Sequence, residues 1–285
     1  MSDKLDIIIL MNALDMGGAE KQSLLLAKAI GNDYRVHYVV QKNEPRLKQH
    51  LDFIERERIN YVQLSGSFLA RLWQLRSYVR QNDVRLLIAM LTLDNAMAAC
   101  ISLLTGIKCI GGVRSSYLPF QKLFVTWIAE KFFLDHIIYN NNYGRNLFVK
   151  KGFSGRKSSV IHNCINNIQK EIKRPRREKI TILSVGRFTF EKDYLTALKA
   201  ISILNKICSD KVIDYIIIGD GECLDLINGW INNLKLGNVS LVINPESVEA
   251  FYLTADIYLM SSISEGMPNS IMEAFSYSLP VVTTD

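Results

Sequence analysis

Residues 6–30 read DIIILMNALDMGGAEKQSLLLAKAI, and this stretch decides the fold. An apolar run of strand length comes first, then the paired glycines Gly17 and Gly18, then apolar residues at helical spacing from Ala19 to Ile30. Strand, glycine turn and helix make the opening of a βαβ unit. The glycines let the backbone approach a ligand, and the helix start presents N–H groups with positive dipole. A tight turn without a ligand is the plainer reading of the same residues.

The pattern repeats outward from there. Residues 35–40, 61–64, 85–90, 108–113, 136–139 and 159–161 read as buried strands, with helical stretches at 47–58, 69–81, 96–104, 120–134 and 145–151 between them. Residues 166–179, NNIQKEIKRPRREK, are polar and basic, contain Pro175, and read as a linker. The alternation then restarts. Strands are expected at 180–185, 214–218, 239–243, 257–260 and 280–283, and helices at 194–208, 223–234, 248–254 and 270–277. The fold class is therefore α/β, with two doubly wound Rossmann-like domains, 1–165 and 180–285, facing across a cleft.

A length of 285 residues, 48% apolar and 22% charged, supplies two cores and excludes disordered or disulfide-scaffold classes. The five cysteines form no C-x-x-C pair and suggest reduced thiols with no zinc site. The longest apolar stretch, 86–104, is broken by Asp94 and Asn95, so no membrane span is expected. Charge is uneven: residues 1–165 carry 22 Lys/Arg against 13 Asp/Glu, and residues 180–285 carry six against 13. The basic front half fits phosphate, on a lipid-linked substrate or an anionic membrane. It lacks the stacking aromatics and motifs of a nucleic-acid binder, so no nucleic-acid partner is expected.

Three loops carry candidate chemistry. The first is Gly17-Gly18. The second is Gly186-Arg187, followed by Lys192, where two of the six cations in an acidic half-chain stand just after a strand. Such a pair suits a diphosphate. The third is Glu265-Gly266-Met267-Pro268-Asn269-Ser270 with Glu273 inside the next helix. Backbone N–H groups there would face an anion, while the carboxylates could accept hydroxyl hydrogen bonds from a sugar or ribose. Gly219-Asp220-Gly221 lacks the third glycine of a dinucleotide fingerprint and reads as a turn.

Taken in order, Gly17-Gly18-Ala19-Glu20, Ile161-His162-Asn163, Gly186-Arg187 with Lys192, Gly219-Asp220-Gly221, Glu265 with Glu273, and the final strand resemble the retaining, nucleotide-sugar-dependent glycosyltransferases of family 4, which have the GT-B fold. The resemblance implies that Arg187 and Lys192 neutralise the donor diphosphate and that Glu265 contacts the donor sugar. It implies that Glu273 holds the ribose, and that Gly186 and the N–H groups of Gly266 to Ser270 reach sugar or phosphate. Gly17 and Gly18 would face the diphosphate from the other domain. No metal or other cofactor is expected, since the donor is a substrate and cations with helix dipoles supply the charge.

None of His37, His50, His136 or His162 fits the histidine that many members place in the first domain. The corresponding strand ends offer Asn95 and Arg114, as in a branch that builds bacterial surface polysaccharides. These two are the acceptor-side or sugar-side candidates. The partners implied are a nucleotide diphosphate sugar, UDP-linked in the first instance, and a glycan or polyprenyl-diphosphate-linked acceptor. The implied location is the cytoplasm, with peripheral contact to the inner face of the cell membrane. Family members continue beyond Asp285, so the second domain is expected to be incomplete, with lowered stability and activity. A non-catalytic nucleotide-sugar-binding fragment and a sugar-nucleotide 2-epimerase are the alternatives on the same architecture.

Overall fold

The computed structural model describes residues 4–284 apart from 16, 43–47, 166–171, 173–178, 209–211 and 246. It divides into two units, Met1–Cys164 and Ile165–Asp285. The expected linker at 166–179 falls almost wholly outside the described residues, and its last residue, Lys179, already belongs to a strand.

In the first unit the strands are β1 (Asp6–Met11), β2 (Arg35–Val40), β3 (Asn60–Gln63), β4 (Leu86–Ala89), β5 (Lys108–Val113), β6 (His136–Tyr139) and β7 (Ser158–Val160). The helices are α1 (Gly18–Ile30), α2 (Lys48–Arg56), α3 (Phe68–Gln81), α4 (Thr92–Thr105), α5 (Phe120–Phe132) and α6 (Asn142–Lys150). All strand pairs are parallel, in the order β3-β2-β1-β4-β5-β6-β7. Alternate residues of β1 feed opposite cores. Ile8 and Leu10 pack with Leu87, Ile101 and Phe148, while Ile9 and Met11 pack with Leu24, Tyr38 and Val40. That alternation is why the strand is apolar on both faces and needs helices on both sides. Each fully buried Leu or Ile contributes about 1.5–3 kcal/mol relative to exposure.

The second unit holds β8 (Lys179–Val185), α7 (Tyr194–Ile207), β9 (Val212–Gly219), α8 (Leu224–Asn233), β10 (Val239–Ile243), α9 (Glu249–Thr254), β11 (Ile257–Met260), α10 (Asn269–Ser276) and β12 (Val281–Thr283). Its parallel sheet runs β10-β9-β8-β11-β12. Here too the faces divide, with Ile182, Tyr215 and Ile217 in one core and Leu183, Ile218 and Tyr258 in the other.

Both sheets reverse direction of growth once, between β1 and β4 and between β8 and β11. At such a point the two loops leaving the strands diverge to opposite faces and open a crevice beyond the strand ends. The candidate loops all leave strands at their carboxyl ends. Helix α4 begins at Thr92, four residues before the expected 96, because Asp94 accepts the Leu91 backbone N–H at 3.0 Å and starts the helix. Among the described residues, no helix is long and apolar enough to cross a membrane.

Candidate functional site

In the second unit the loops after β8 and β11 are stitched together. Ser261 Oγ donates to the Lys192 carbonyl at 2.9 Å, and the Ile263 N–H donates to the Glu191 carbonyl at 2.8 Å. Upstream, Lys192 closes a 3-10 turn, Phe190–Lys192, and Asp193 then takes a left-handed conformation (φ 43°) to cap α7. Its carboxylate accepts from Thr196 N at 3.3 Å and from Thr196 Oγ1 at 2.6 Å. These contacts fix Lys192 beside Glu265, and Lys192 Nζ forms an ion pair with Glu265 Oε1. The two side chains are 21% and 25% exposed, so solvent or a ligand can reach both.

Gly186 has a steric reason to be glycine. A Cβ there would lie 3.3 Å from Tyr194 Oη and 3.4 Å from Lys192 Cε. Its absence lets the lysine stem lie against the strand end, while Tyr194 Oη donates to the Gly186 carbonyl at 3.0 Å. Arg187 follows directly and is exposed. Glu191, on the rim, has its carboxyl held below the usual glutamate range by its own backbone N–H and the Thr189 hydroxyl, with Arg187 and Lys192 adding to the effect.

Glu273 stands on the second turn of α10, whose N-cap is Pro268. The buried Tyr252 on α9 donates from Oη to Glu273 Oε2 at 3.0 Å and stacks on Tyr277 at 5.2 Å. Burial first, and the Glu273 charge second, push the Tyr252 phenol well above its ordinary range, so it stays a donor. Sequence reasoning missed Tyr252, because a tyrosine at an apolar helical position carries no signal of its own. On the far side of the sheet, Asn244 Nδ2 donates to Asp220 Oδ2 at 2.7 Å and the Gly221 N–H donates to Asp220 Oδ1 at 2.8 Å. That occupies Asp220 in a turn.

The strand ends of the first unit are built differently. Gly17 is the N-cap of α1, and the Glu20 carboxylate folds back over it. A Cβ on Gly17 would fall 2.0 Å from Glu20 Oε2, so any other residue here requires the Glu20 side chain to move. Gly18 begins the helix and is exposed. Gln22 on the same helix clamps Cys164, donating to its carbonyl at 2.7 Å and accepting from its N–H at 2.9 Å.

Asn95 corrects an expectation. It is fully buried, and its amide faces the Gly112 backbone, donating to the carbonyl at 2.9 Å and accepting from the N–H at 3.0 Å. It locks α4 to β5 and presents nothing to a substrate. Its neighbour Asp94 is equally buried, accepts from Gln41 Nε2 at 2.7 Å, and has its carboxyl pushed well up by desolvation. Arg114, just beyond β5, donates from Nη1 to Asn163 Oδ1 at 2.9 Å. Burial lowers its guanidinium to about 10, with Cys164 and Glu20 acting the other way, so it is a cation at neutral pH. Three of the four histidines serve as structural partners: His37 lies between Asp6 and Tyr78, His136 faces Ser159, and His162 faces the Asn140 carbonyl.

Comparison with known proteins agrees along the chain. The model for Glycosyltransferase Family 4 matches residues 16–167, and that for Glycosyl transferases group 1 matches residues 166–285. An uncharacterized glycosyltransferase of Methanocaldococcus jannaschii is 29% identical over 120 residues, which are 41% of this chain and 29% of that protein. The match therefore spans less than a third of that relative's length. A Campylobacter jejuni α-1,4-N-acetyl-D-galactosaminyltransferase acting on a diphospho-undecaprenol-linked glycan is 21% identical over 282 residues, 96% of this chain and 77% of its own. The crystal structure of Anabaena HepE with UDP-glucose superposes with a TM-score of 0.84 at 16% identity, covering 98% of this chain and 80% of that one.

Proposed function

The chain belongs to glycosyltransferase family 4, and from that membership we propose that it moves a hexose or N-acetylhexosamine from a UDP-sugar to a lipid-linked or polysaccharide acceptor in bacterial surface glycan synthesis, with retention at the anomeric carbon. The observation that carries this is the pairing of Lys192 with Glu265, 73 residues apart, at the point where the second sheet reverses. A cation for a diphosphate and a carboxylate for sugar hydroxyls stand side by side there.

In this reading Arg187 and Lys192 bind the donor diphosphate. The Gly186 backbone approaches it, and the start of α10, from Gly266 to Ser270, faces sugar or phosphate. The diphosphate displaces Glu265 from Lys192 and frees the carboxylate to position the donor sugar. Glu273, oriented by Tyr252, accepts from the ribose hydroxyls. The C1–O bond to UDP breaks with its electron pair going to the β-phosphate oxygen. The acceptor hydroxyl oxygen bonds to C1 on the same face, and its proton passes to that phosphate oxygen. Arg187 and Lys192 stabilise the developing charge in the transition state. This reading needs no metal ion, and turnover unchanged by a chelator is its expected signature. In the first unit Arg114 is the acceptor-side residue of this reading, and the protein works at the cytoplasmic face of the membrane.

Calorimetric titration with UDP- and GDP-sugars tests the donor site. Saturable binding of a UDP-sugar, lost in Arg187→Ala and in Glu273→Ala, is expected. Binding that survives both substitutions overturns the site assignment. Binding without sugar transfer to any lipid-linked or glycan acceptor overturns the enzymatic reading in favour of a binding protein.

A further inference from the structure

Helix α5 is apolar on the side that faces solvent. Its inner side is accounted for: Thr126, Ala129 and Glu130 are buried, and Leu123 packs against the core. Yet Phe120 is 79% exposed, Phe124 52%, Val125 40% and Phe132 66%. Phe120 stacks on Phe124 and Phe124 on Trp127, each with ring centroids 6.4 Å apart. At 3.6 residues per turn, Phe120, Phe124 and Lys131 fall within about 40° of one another around the helix. Phe132 and Val125 lie about 120–140° around from Phe120, so the 13-residue helix, about 20 Å long, exposes a broad apolar face with an aromatic row at its start.

The apolar face has a cationic rim. Lys131 lies on that face and is exposed, with its Nζ 5.9 Å from the Trp127 ring, whereas Lys122, also exposed, lies about 160° around from Phe120 and Phe124. Trp127 Nε1 donates to the Gly152 carbonyl at 3.2 Å, tying α5 to the loop after α6. That loop region brings Lys150, Lys151, Arg156 and Lys157, all exposed. Residues 120–157 hold two acids against these cations, Glu130, which is 2% exposed, and Asp135, which accepts the Cys109 N–H, so the patch stays net positive.

Exposed aromatic rings with a lysine rim match the two properties of an anionic bilayer surface, an apolar boundary beneath negative headgroups. A second copy of the chain fits poorly. A two-fold contact would lay the same patch on itself and set five cations against five. We propose that α5 is the surface by which the protein lies on an anionic membrane, with Phe120, Phe124 and Phe132 entering the headgroup boundary and the surrounding lysines meeting the headgroups. Arg114 leaves the sheet six residues before the helix begins, so this orientation brings the acceptor-side end of the first unit to the lipid surface. Docking itself does not rest on the donor-site reading, and it is measured without turnover.

The test is co-sedimentation of the full chain with vesicles of phosphatidylglycerol and phosphatidylethanolamine, and with vesicles of phosphatidylcholine alone. Binding to the anionic vesicles is expected, weakened when salt shortens the Debye length from about 10 Å at 0.1 M to about 3 Å at 1 M. Phe120→Ser with Phe124→Ser should weaken it about tenfold or more with an unchanged melting temperature, since both rings are exposed. Lys131→Glu with Lys151→Glu should do the same through charge alone, and serves if the aromatic variant misfolds. Ile203→Ser with Ile207→Ser, equally exposed on α7, should leave binding unchanged. Failure of the wild type to sediment with anionic vesicles overturns the proposal. So does binding indifferent to the aromatic and lysine variants. A dimer by light scattering that the aromatic variant abolishes assigns the face to a second copy instead.

Discussion

The two sheets meet solvent at the same topological place and treat their polar residues in opposite ways. Beyond β1, β2 and β4, Glu20, Gln41, Asp94 and Asn95 are buried, and the amides and Asp94 are tied to backbone or to each other. Beyond β8 and β11, Arg187 is exposed and Lys192 and Glu265 are about a quarter exposed. Residue types suited to binding a polar ligand stand in both, but only the second set can exchange its partners for a ligand without unpairing buried groups. Polarity at a strand end is therefore a poor guide to function until burial is known.

The sharpest test of this contrast sets activity against stability. Arg187→Ala should lower sugar transfer roughly 10²–10³-fold, the range for removing one preorganised charge-stabilising group. Its melting temperature should stay close to the wild type, as for most exposed substitutions. A variant that loses its cooperative melt would show that Arg187 holds the fold and would erase the distinction between the two sheets.

Asn95→Ala should show the reverse. It leaves the Gly112 N–H and carbonyl buried without partners, at a cost of about 2–4 kcal/mol in urea unfolding. Normal stability combined with a selective loss of acceptor turnover would return Asn95 to the substrate side.

The alternation of strands and helices was legible because the central strands are buried on both faces and the glycine turns follow strand ends. What sequence could not show was which polar residue ends up inside. Asp94 and Asn95 look like loop residues after an apolar run, yet they sit in the first turn of α4, where one starts the helix and the other bonds β5. The stretch FQKLFVTWIAEKFF is apolar around most of the helix, so periodicity marks a helix without saying which face is covered. Arg187 and Lys192 were legible as a candidate pair because cations are scarce in that half of the chain. Tyr252 was not, since its role depends on α9 lying against α10.

Within the second unit, Glu273→Gln should raise the donor KM about tenfold, close to the 1.4 kcal/mol of a weakened charged hydrogen bond, with a smaller change in kcat. Tyr252→Phe should shift KM in the same direction by a few-fold, because it removes only the bond that orients Glu273. An unchanged KM in Glu273→Gln would mean the ribose is held elsewhere.

The smallest effect is the most diagnostic of the first unit. Desolvation raises the Asp94 carboxyl well above its ordinary value, with its Gln41 and Leu91 hydrogen bonds opposing. Between the unfolded value, about 3.9, and the raised native value, the native state holds a proton that the unfolded chain has lost. Stability from this group is therefore full below the unfolded value and declines as pH rises towards the native one. Asp94→Asn removes that decline, so its urea midpoint should improve relative to the wild type between pH 5 and pH 8, whatever its offset at acid pH. Parallel pH profiles for Asp94→Asn and the wild type would mean that the Asp94 carboxyl titrates as if in water, and the contrast between a sealed and an open set of strand ends would lose its electrostatic basis.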